Sequence, residues 1–271
     1  MALAVSTSTI LGIAKEVRSA AGALRSEAGA HAAGPISVSG VLAEQLVREL
    51  GKGARPGAVL VGGDSPPTSA DALVRVIAGD PTDVDLAFVR AADRRGTPVV
   101  LVQLWPQADW TRPFVLSPYV VECRAGAGFP VTEIADRIAD ATDQSAQLAS
   151  SVPVLRPSVE RKLVLRSVVR AAAFGAFAQR LPTRPLITKE QVRLVARLSA
   201  AKGGGGVGLA DEPAALAAVT GALLVSGYAF RSVARTSRFV LPPALANAAV
   251  AAAGTWALAK AAKVYAARSS A

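Results

Sequence analysis

The chain is poor in the residue types that build disulfides, metal centres and nucleophilic active sites. Its 271 residues include one cysteine (Cys123) and one histidine (His31), and aromatic residues make up 5% of the total. A single cysteine excludes an internal disulfide, as is typical of a reducing compartment. This inventory also argues against a Cys/His zinc site and a Cys–His catalytic pair. We therefore predict no catalytic residue, no metal and no cofactor.

A segment near residue 60 has the outline of a phosphate loop but lacks the residues that bind phosphate. An apolar run leads into Gly62, and a periodic apolar segment over 70–77, which we predict to be a helix, follows Ser69. Against the pattern G-x-x-x-x-G-K-[ST], only Gly62 and Ser69 fit, because Pro67 replaces the second glycine and Thr68 replaces the lysine. Pro67 has no N–H and Thr68 has no positive charge. Gly62 and Ser69 are thus predicted to be vestiges of a nucleotide site, or parts of an ordinary strand-to-helix turn.

Strand and helix patterns alternate through residues 36–150, which we predict to form an α/β domain after an Ala-rich extension over 1–35. The apolar strands are of the kind buried in a parallel sheet, and the domain would have three layers. The predicted helices cover 39–50, 83–95 and 131–139, and the predicted strands cover 58–61, 97–104 and 119–123.

Two small clusters within this domain have alternative interpretations. Asp80, Asp83 and Asp85 have the spacing of a calcium loop, but the first turn of a helix also favours aspartate, and we prefer that interpretation. Trp105 and Trp110 lie near the expected ligand end of the sheet. They would either plug that crevice, which we favour, or face a partner.

Charge divides the chain into two regions. Residues 1–150 hold 13 Lys+Arg and 16 Asp+Glu, whereas residues 151–271 hold 17 Lys+Arg and 4 Asp+Glu, a net charge of +13. Pro153, Arg156 and Pro157 mark the boundary, and only helical patterns follow. We therefore predict a basic, all-α domain over 151–271. Its charge points to an anionic partner, such as phospholipid headgroups, nucleic acid or an acidic protein.

Basic residues in this second region recur at the spacing of one helix face. Four-residue steps of this kind are typical of amphipathic basic helices. Three groups are candidates for contact with a membrane or another anion: Lys162, Arg166 and Arg170; Lys189, Arg193 and Arg197; and Arg231, Arg235 and Arg238.

Two uncharged runs, 213–230 and 239–259, are each long enough to span a bilayer. Their many alanines and glycines favour insertion only weakly. Pro242 and Pro243 would move the start of the second helix to about residue 244. A spanning hairpin and a surface or buried hairpin both remain open.

The segments RGTPVVLVQLWPQ and VVECRAGAGFPVTEIADRI resemble a bacterial Era/Der-type GTPase domain over roughly residues 50–140. The resemblance implies a P-loop-like fold. It places the guanine-reading Asn-Lys-x-Asp motif at residues 104–107, where no residue matches.

The segments LPTRPLITKEQVRLVARLSAAKG and AAAGTWALAKAAKVY are similar to the domain-of-unknown-function 697 family over about residues 160–266, with Gln191 as the best-matched position. This helical module follows some bacterial GTPase domains and occurs in inner-membrane proteins, so the resemblance implies membrane association.

These observations lead to one main hypothesis and two alternatives. The main hypothesis is a non-catalytic, pseudo-GTPase-like scaffold or adaptor. Its basic helical module would contact the cytoplasmic side of the inner membrane, peripherally or through a helical hairpin, or a protein partner. Homo-oligomerisation stays open, and so does a purely cytoplasmic location. The alternatives are a divergent GTP-binding protein and a nucleic-acid-binding protein, although the sequence argues against both GTP and nucleic acid as partners.

Overall fold

The computed structural model describes residues 33–106, 119–177, 184–203 and 242–268. The chain divides into two compact units, and each is described by itself. The α/β unit is described over residues 33–106, 119–162 and 201–203, and the helical unit over 163–177, 184–200 and 242–268.

The α/β unit is built on one parallel sheet of five strands, as the alternation of strand and helix patterns predicts. The spatial order is β2-β1-β3-β4-β5, and every pair of neighbours is parallel. The strands are β1 (Ile36–Gly40), β2 (Val59–Val61), β3 (Ala72–Ala78), β4 (Val99–Leu104) and β5 (Val120–Cys123).

Four helices of this unit follow the strands: α1 (Ala43–Leu50), α2 (Asp83–Arg94), α3 (Val131–Ala141) and α4 (Ser145–Ser151). Helix α2 begins with a capping box. The Thr82 hydroxyl accepts from the Asp85 N–H at 3.3 Å, and the Asp85 carboxylate accepts from the Thr82 N–H at 2.9 Å. The acidic cluster is therefore a helix start, as preferred from the sequence.

The two faces of the sheet carry different residues. Helix α1 connects β1 to β2, and helix α2 connects β3 to β4, and the two connections run in opposite directions from the centre of the sheet. Because crossovers between parallel strands are right-handed, the two helices lie on opposite faces. Because side chains alternate along a strand, we define an apolar face and a polar face. The apolar face carries Ile36, Val38, Val74, Val76, Val100, Val102 and Val121. The polar face carries Ser37, Ser39, Arg75 and Gln103 together with the buried Leu73, Ile77, Val99, Leu101 and Val120.

The structure corrects the predicted helix over 70–77, because Ala72–Ala78 form strand β3 and no helix is present there. A short apolar run cannot be assigned by periodicity alone, and the β-branched Val74, Val76 and Ile77 favour a strand. Strand β1 was also missed: the helix expected from Ser39 begins only at Ala43. The predicted strands over 58–61, 97–104 and 119–123 and helices over 83–95 and 131–139 are confirmed within a few residues.

The segment expected to mark a domain boundary is ordered. Residues 153–155 form a 3-10 turn and lead directly into α5 (Arg156–Ala176). Two more helices follow, α6 (Arg184–Ala201) and α7 (Pro243–Arg268). The start of α7 lies one residue before the expected position. No helix formed by the described residues is long and apolar enough to cross a membrane, and the run over 213–230 lies outside those residues.

Within the helical unit, polar contacts join the three helices. The buried Glu190 of α6 accepts from the Ser167 hydroxyl of α5 at 3.0 Å. Gln191 Nε2 donates to Thr255 Oγ1 of α7 at 3.2 Å, and both side chains are buried. Gly175 of α5 lies so close to α7 that an added Cβ would stand 2.5 Å from the Asn247 carbonyl oxygen. Small and hydrogen-bonded residues therefore set the spacing of these helices.

Candidate functional site at the carboxyl edge of the sheet

In a doubly wound parallel sheet, ligands bind outside the carboxyl ends of the strands, where the crossovers diverge. Here the divergence lies between β1 and β3, because the chain leaves β1 toward β2 and leaves β3 toward β4. We call this side of the unit the carboxyl edge. It comprises the turn after β1, the segment 79–84 after β3, Trp105 after β4, and the loop 124–130 after β5.

The turn after β1 is too short to wrap a phosphate. Only Val41 and Leu42 separate strand from helix, and both side chains are exposed. The backbone is held close to β3, since Val41 N donates to Val76 O at 3.0 Å and an added Cβ at Gly40 would lie 2.0 Å from that oxygen. A phosphate loop needs a longer run of inward N–H groups and a lysine. This turn supplies neither.

The loop after β2, which we predicted as a vestigial phosphate loop, joins two strands instead of a strand and a helix. Gly62 N donates to Val38 O at 2.7 Å, and an added Cβ there would lie 2.3 Å from Ser37 Oγ. The chain therefore crosses the polar face directly over β1. Ser69 lies at the far end of this crossover loop and is exposed. Gly62 and Ser69 belong to one loop, and a strand follows this loop in place of the helix that follows a phosphate loop.

A buried arginine ties this crossover loop to α2. Arg75 of β3 donates from Nε to Asp85 Oδ1 at 2.8 Å and from Nη1 to Asp64 Oδ1 at 3.3 Å, and its guanidinium lies 5.1 Å from the centre of the Phe88 ring. Burial alone would raise the pKa of Asp85, but hydrogen bonds from Thr82 and Arg75 and the arginine charge outweigh it, so that the pKa is lowered. This cluster was not predicted, since it depends on the position of β3.

A cavity of about 470 Å³ opens at the end of β5. Burial, and to a smaller extent the charge of Glu133, raises the pKa of the Cys123 thiol to about 11. The thiol is thus protonated at neutral pH and is a poor nucleophile or metal ligand. The cavity is lined by Val120, Glu122, Cys123, Arg124, Ala127, Gly128, Pro130 and Glu133. The lining thus combines two carboxylates and one guanidinium with apolar walls, and Glu133 also pairs with Arg137 at 3.4 Å.

Trp105 stands beside this cavity, since its N–H donates to Cys123 O at 2.9 Å. Its side chain is 54% exposed, so it does not plug the crevice, and Trp110 lies outside the described residues. Trp105 (φ 49°) and Leu42 (φ 56°) are the two non-glycine residues with positive φ among those described. Such backbone is strained and clusters at functional sites. A tryptophan directly after a buried strand was the sequence signal for this position.

One residue of the predicted basic stripes has a structural role. Lys162 is buried, and its ammonium donates to the carbonyl oxygens of Ala139, Asp140 (3.3 Å) and Thr142 (2.8 Å). These carbonyls end helix α3, where a cation is favourable. Lys162 is therefore a buried helix cap, which corrects its assignment as an anion contact.

The other predicted basic residues differ in exposure. Arg166 and Lys189 are exposed, Arg193 and Arg197 are half-buried, and Arg170 pairs with Glu190 at 3.4 Å while keeping about half of its side chain exposed. Arg231, Arg235 and Arg238 lie outside the described residues. No group of three or more potential ligand residues is arranged to hold a metal ion within the described ranges.

Comparisons with known proteins add no relative to this picture. No family model matches the sequence, and no curated protein or solved structure is significantly similar to it. The function must therefore be argued from the chain's own surfaces.

Proposed function

We propose that this protein is a non-catalytic scaffold or adaptor whose helical unit binds an anionic membrane surface through the exposed face of α5. The supporting observation is the composition of that face. Leu165 and Val169 are 62% and 59% exposed and lie beside Arg166 and Arg170, and Phe177, directly after the helix, is 58% exposed. Large apolar side chains rarely cover an exposed helix face without a partner.

The spacing of these residues fits an interfacial helix. Leu165 and Val169 are four residues apart, as are Arg166 and Arg170, so an apolar row and a basic row run side by side. Apolar side chains of such a helix enter the boundary between headgroups and acyl chains, and arginines beside them attract anionic lipid. Each such charge contributes about 1 kcal/mol near an anionic surface. The resemblance to an inner-membrane module and the net charge of +13 in residues 151–271 support the same partner.

Vesicle flotation tests this proposal. We expect the protein to float with vesicles containing phosphatidylglycerol and to remain at the bottom with phosphatidylcholine alone. Arg166→Gln should weaken partitioning about fivefold, the equivalent of one lost charge contact. Leu165→Ser with Val169→Ser should abolish flotation. Arg90→Gln and Leu60→Ser, which change exposed residues of the α/β unit, are the matched controls.

Two results would overturn the proposal in different ways. Equal binding by wild type and the Leu165→Ser/Val169→Ser variant would exclude the α5 face as the membrane contact. A salt-sensitive gel shift on generic duplex DNA, with no flotation, would favour the nucleic-acid alternative. The non-catalytic part is tested separately with a fluorescent GTP analogue, since micromolar binding that is lost in Ser69→Ala would restore the divergent GTP-binding alternative.

A further inference from the structure

We propose that the carboxyl edge of the α/β unit is a docking surface for a segment of a partner protein that presents a lysine or arginine among apolar side chains. The surface lies in a different unit from the α5 face. The inference is therefore independent of membrane binding and would give the adaptor its second contact.

The apolar part of this surface is formed by side chains at the ends of three strands. Val41 and Leu42 follow β1, Val84 lies in the first turn of α2 after β3, and Trp105 follows β4; all four are exposed. Neighbouring strands are about 4.8 Å apart, so these residues share one edge roughly 10 Å wide. Two of the four, Leu42 and Trp105, have strained left-handed backbone. Strained backbone and exposed apolar side chains are both unfavourable in the free chain, and together they indicate a contact with a partner protein.

The polar part of this surface is predominantly acidic. Glu44 and Asp83 lie exposed in the first turns of α1 and α2, next to Leu42 and Val84. Glu122 and Glu133 line the cavity at the end of β5, where Arg124 is the one basic lining residue. Charge complementarity therefore selects a basic partner and disfavours phosphate, which excludes lipid headgroups and nucleic acid as the occupant.

The cavity supplies an anchor point for one basic side chain. Its volume of about 470 Å³ exceeds that of a lysine or arginine side chain, and Val120, Ala127 and Pro130 form apolar walls for the methylene stem. Glu133, which also pairs with Arg137 at 3.4 Å, provides a carboxylate for the charged end. The backbone of Trp105 bonds to Cys123, which lines the cavity, and the exposed Trp105 side chain can pack on the partner's apolar residues and contribute a large share of the binding energy. The predicted contact is thus one basic anchor beside two or three apolar residues.

The test measures fluorescence anisotropy of a labelled synthetic amphipathic Leu/Lys peptide with the full chain, beside a Leu/Glu peptide of the same length. We expect the Leu/Lys peptide alone to bind. Trp105→Ser and Glu133→Gln should each weaken binding about tenfold, as for a residue near the centre of an interface. Leu60→Ser and Asp93→Asn, exposed changes away from this edge, should alter it less than twofold. Circular dichroism checks that each variant is folded.

Hydrogen exchange locates the contact, with slower exchange expected over residues 40–44, 80–84 and 122–124. Protection confined to 156–177 would overturn the inference, as would equal binding of the Leu/Glu peptide or an unchanged affinity in Trp105→Ser. Sedimentation of the free chain supplies a further check. Self-association that Trp105→Ser abolishes would identify a second copy as the occupant and replace the partner segment proposed here.

Discussion

The two faces of the parallel sheet both pack through apolar side chains, but one of them adds a buried cluster of charged residues. On the apolar face, valines such as Val38, Val74 and Val102 are buried, and helices α1 and α3 lie against the sheet and each other. On the polar face, Ser37 and Ser39 lie under a loop that crosses β1. There, Leu73 and Val99 form an apolar cluster with Phe88 of α2, and a buried arginine joins the loop to the same helix.

This difference separates two sources of stability. Burial on the apolar face contributes in proportion to area and tolerates changes of similar volume. The polar face also buries apolar side chains, but it depends in addition on matched charges and on the absence of a side chain at Gly62, so small changes at those positions should have large effects. Substitutions on strand β3 can compare the two faces directly, because successive residues point to opposite sides.

The largest effect is expected from Arg75→Leu. This change leaves the buried Asp85 carboxylate, whose side chain is 9% exposed, without its cation. Breaking a buried pair in this way costs about 3–5 kcal/mol of unfolding free energy. The neighbouring Val74→Ala, on the apolar face, should cost about 2 kcal/mol for two lost methyl groups and the cavity they leave. Urea unfolding followed by hydrogen exchange in β1 and β3 measures both.

A second substitution distinguishes charge from packing at this site. Asp85→Asn keeps an oxygen that can accept from Thr82 but removes the negative charge. Combined with Arg75→Leu, it should recover part of the lost stability, since the buried charge is gone. If the effects of Arg75→Leu and Asp85→Asn are simply additive, the ion pair does not account for the stability of the polar face.

A smaller effect is expected from Gly62→Ala. The new Cβ would lie 2.3 Å from Ser37 Oγ, so the crossover loop or β1 must shift. Overpacking of this kind costs about 1–3 kcal/mol. Ser37→Ala removes the atom that is struck, and the double variant should regain most of the loss. Thermal unfolding of the four proteins measures this, and a double variant no more stable than Gly62→Ala would contradict the close approach.

The smallest and most graded effect is expected from pH. The pKa of Asp85 is lowered from 3.8 in the folded state, so its ionised form stabilises the fold above that value. This stability is lost as pH falls from about 4 through the lowered pKa, because the unfolded chain takes up the proton first. The stability difference between wild type and Asp85→Asn should be constant near neutral pH and shrink below pH 4. If the stability difference between wild type and Asp85→Asn persists below pH 4, it arises from the shape of the side chain and not from its charge.

Sequence patterns predicted strands β2, β4 and β5 but missed β1 and β3, which lie side by side within the sheet. Strands β4 and β5 are long or clearly bounded apolar runs, and α2 carries its own capping residues, so local patterns suffice. Strand β3 lies in the segment 70–77, whose apolar spacing also fits a helix. Its buried Arg75 pairs with Asp64 and Asp85, which are 11 and 10 residues away in sequence. No local pattern reports such a pairing.

The candidate site was only partly predictable for a related reason. Trp105 was singled out because it follows a strand, and the structure places it on the surface beside a cavity. Leu42 and Val84 gave no signal, because their exposure depends on where the helices begin. The prediction for Lys162 was wrong for a similar reason. Its four-residue spacing from Arg166 predicted an exposed basic row, but its ammonium is buried against the carbonyl groups that end α3.

The buried thiol of Cys123 has a practical consequence for labelling. It is the only cysteine in the chain, and its pKa near 11 keeps it protonated, so maleimide reagents will react with it slowly in the native protein. A cysteine introduced at Leu42 or Val169 would then be the single fast-reacting thiol. The natural cysteine therefore contributes little labelling of its own. One dye or spin label at either surface could follow docking without first removing the natural residue.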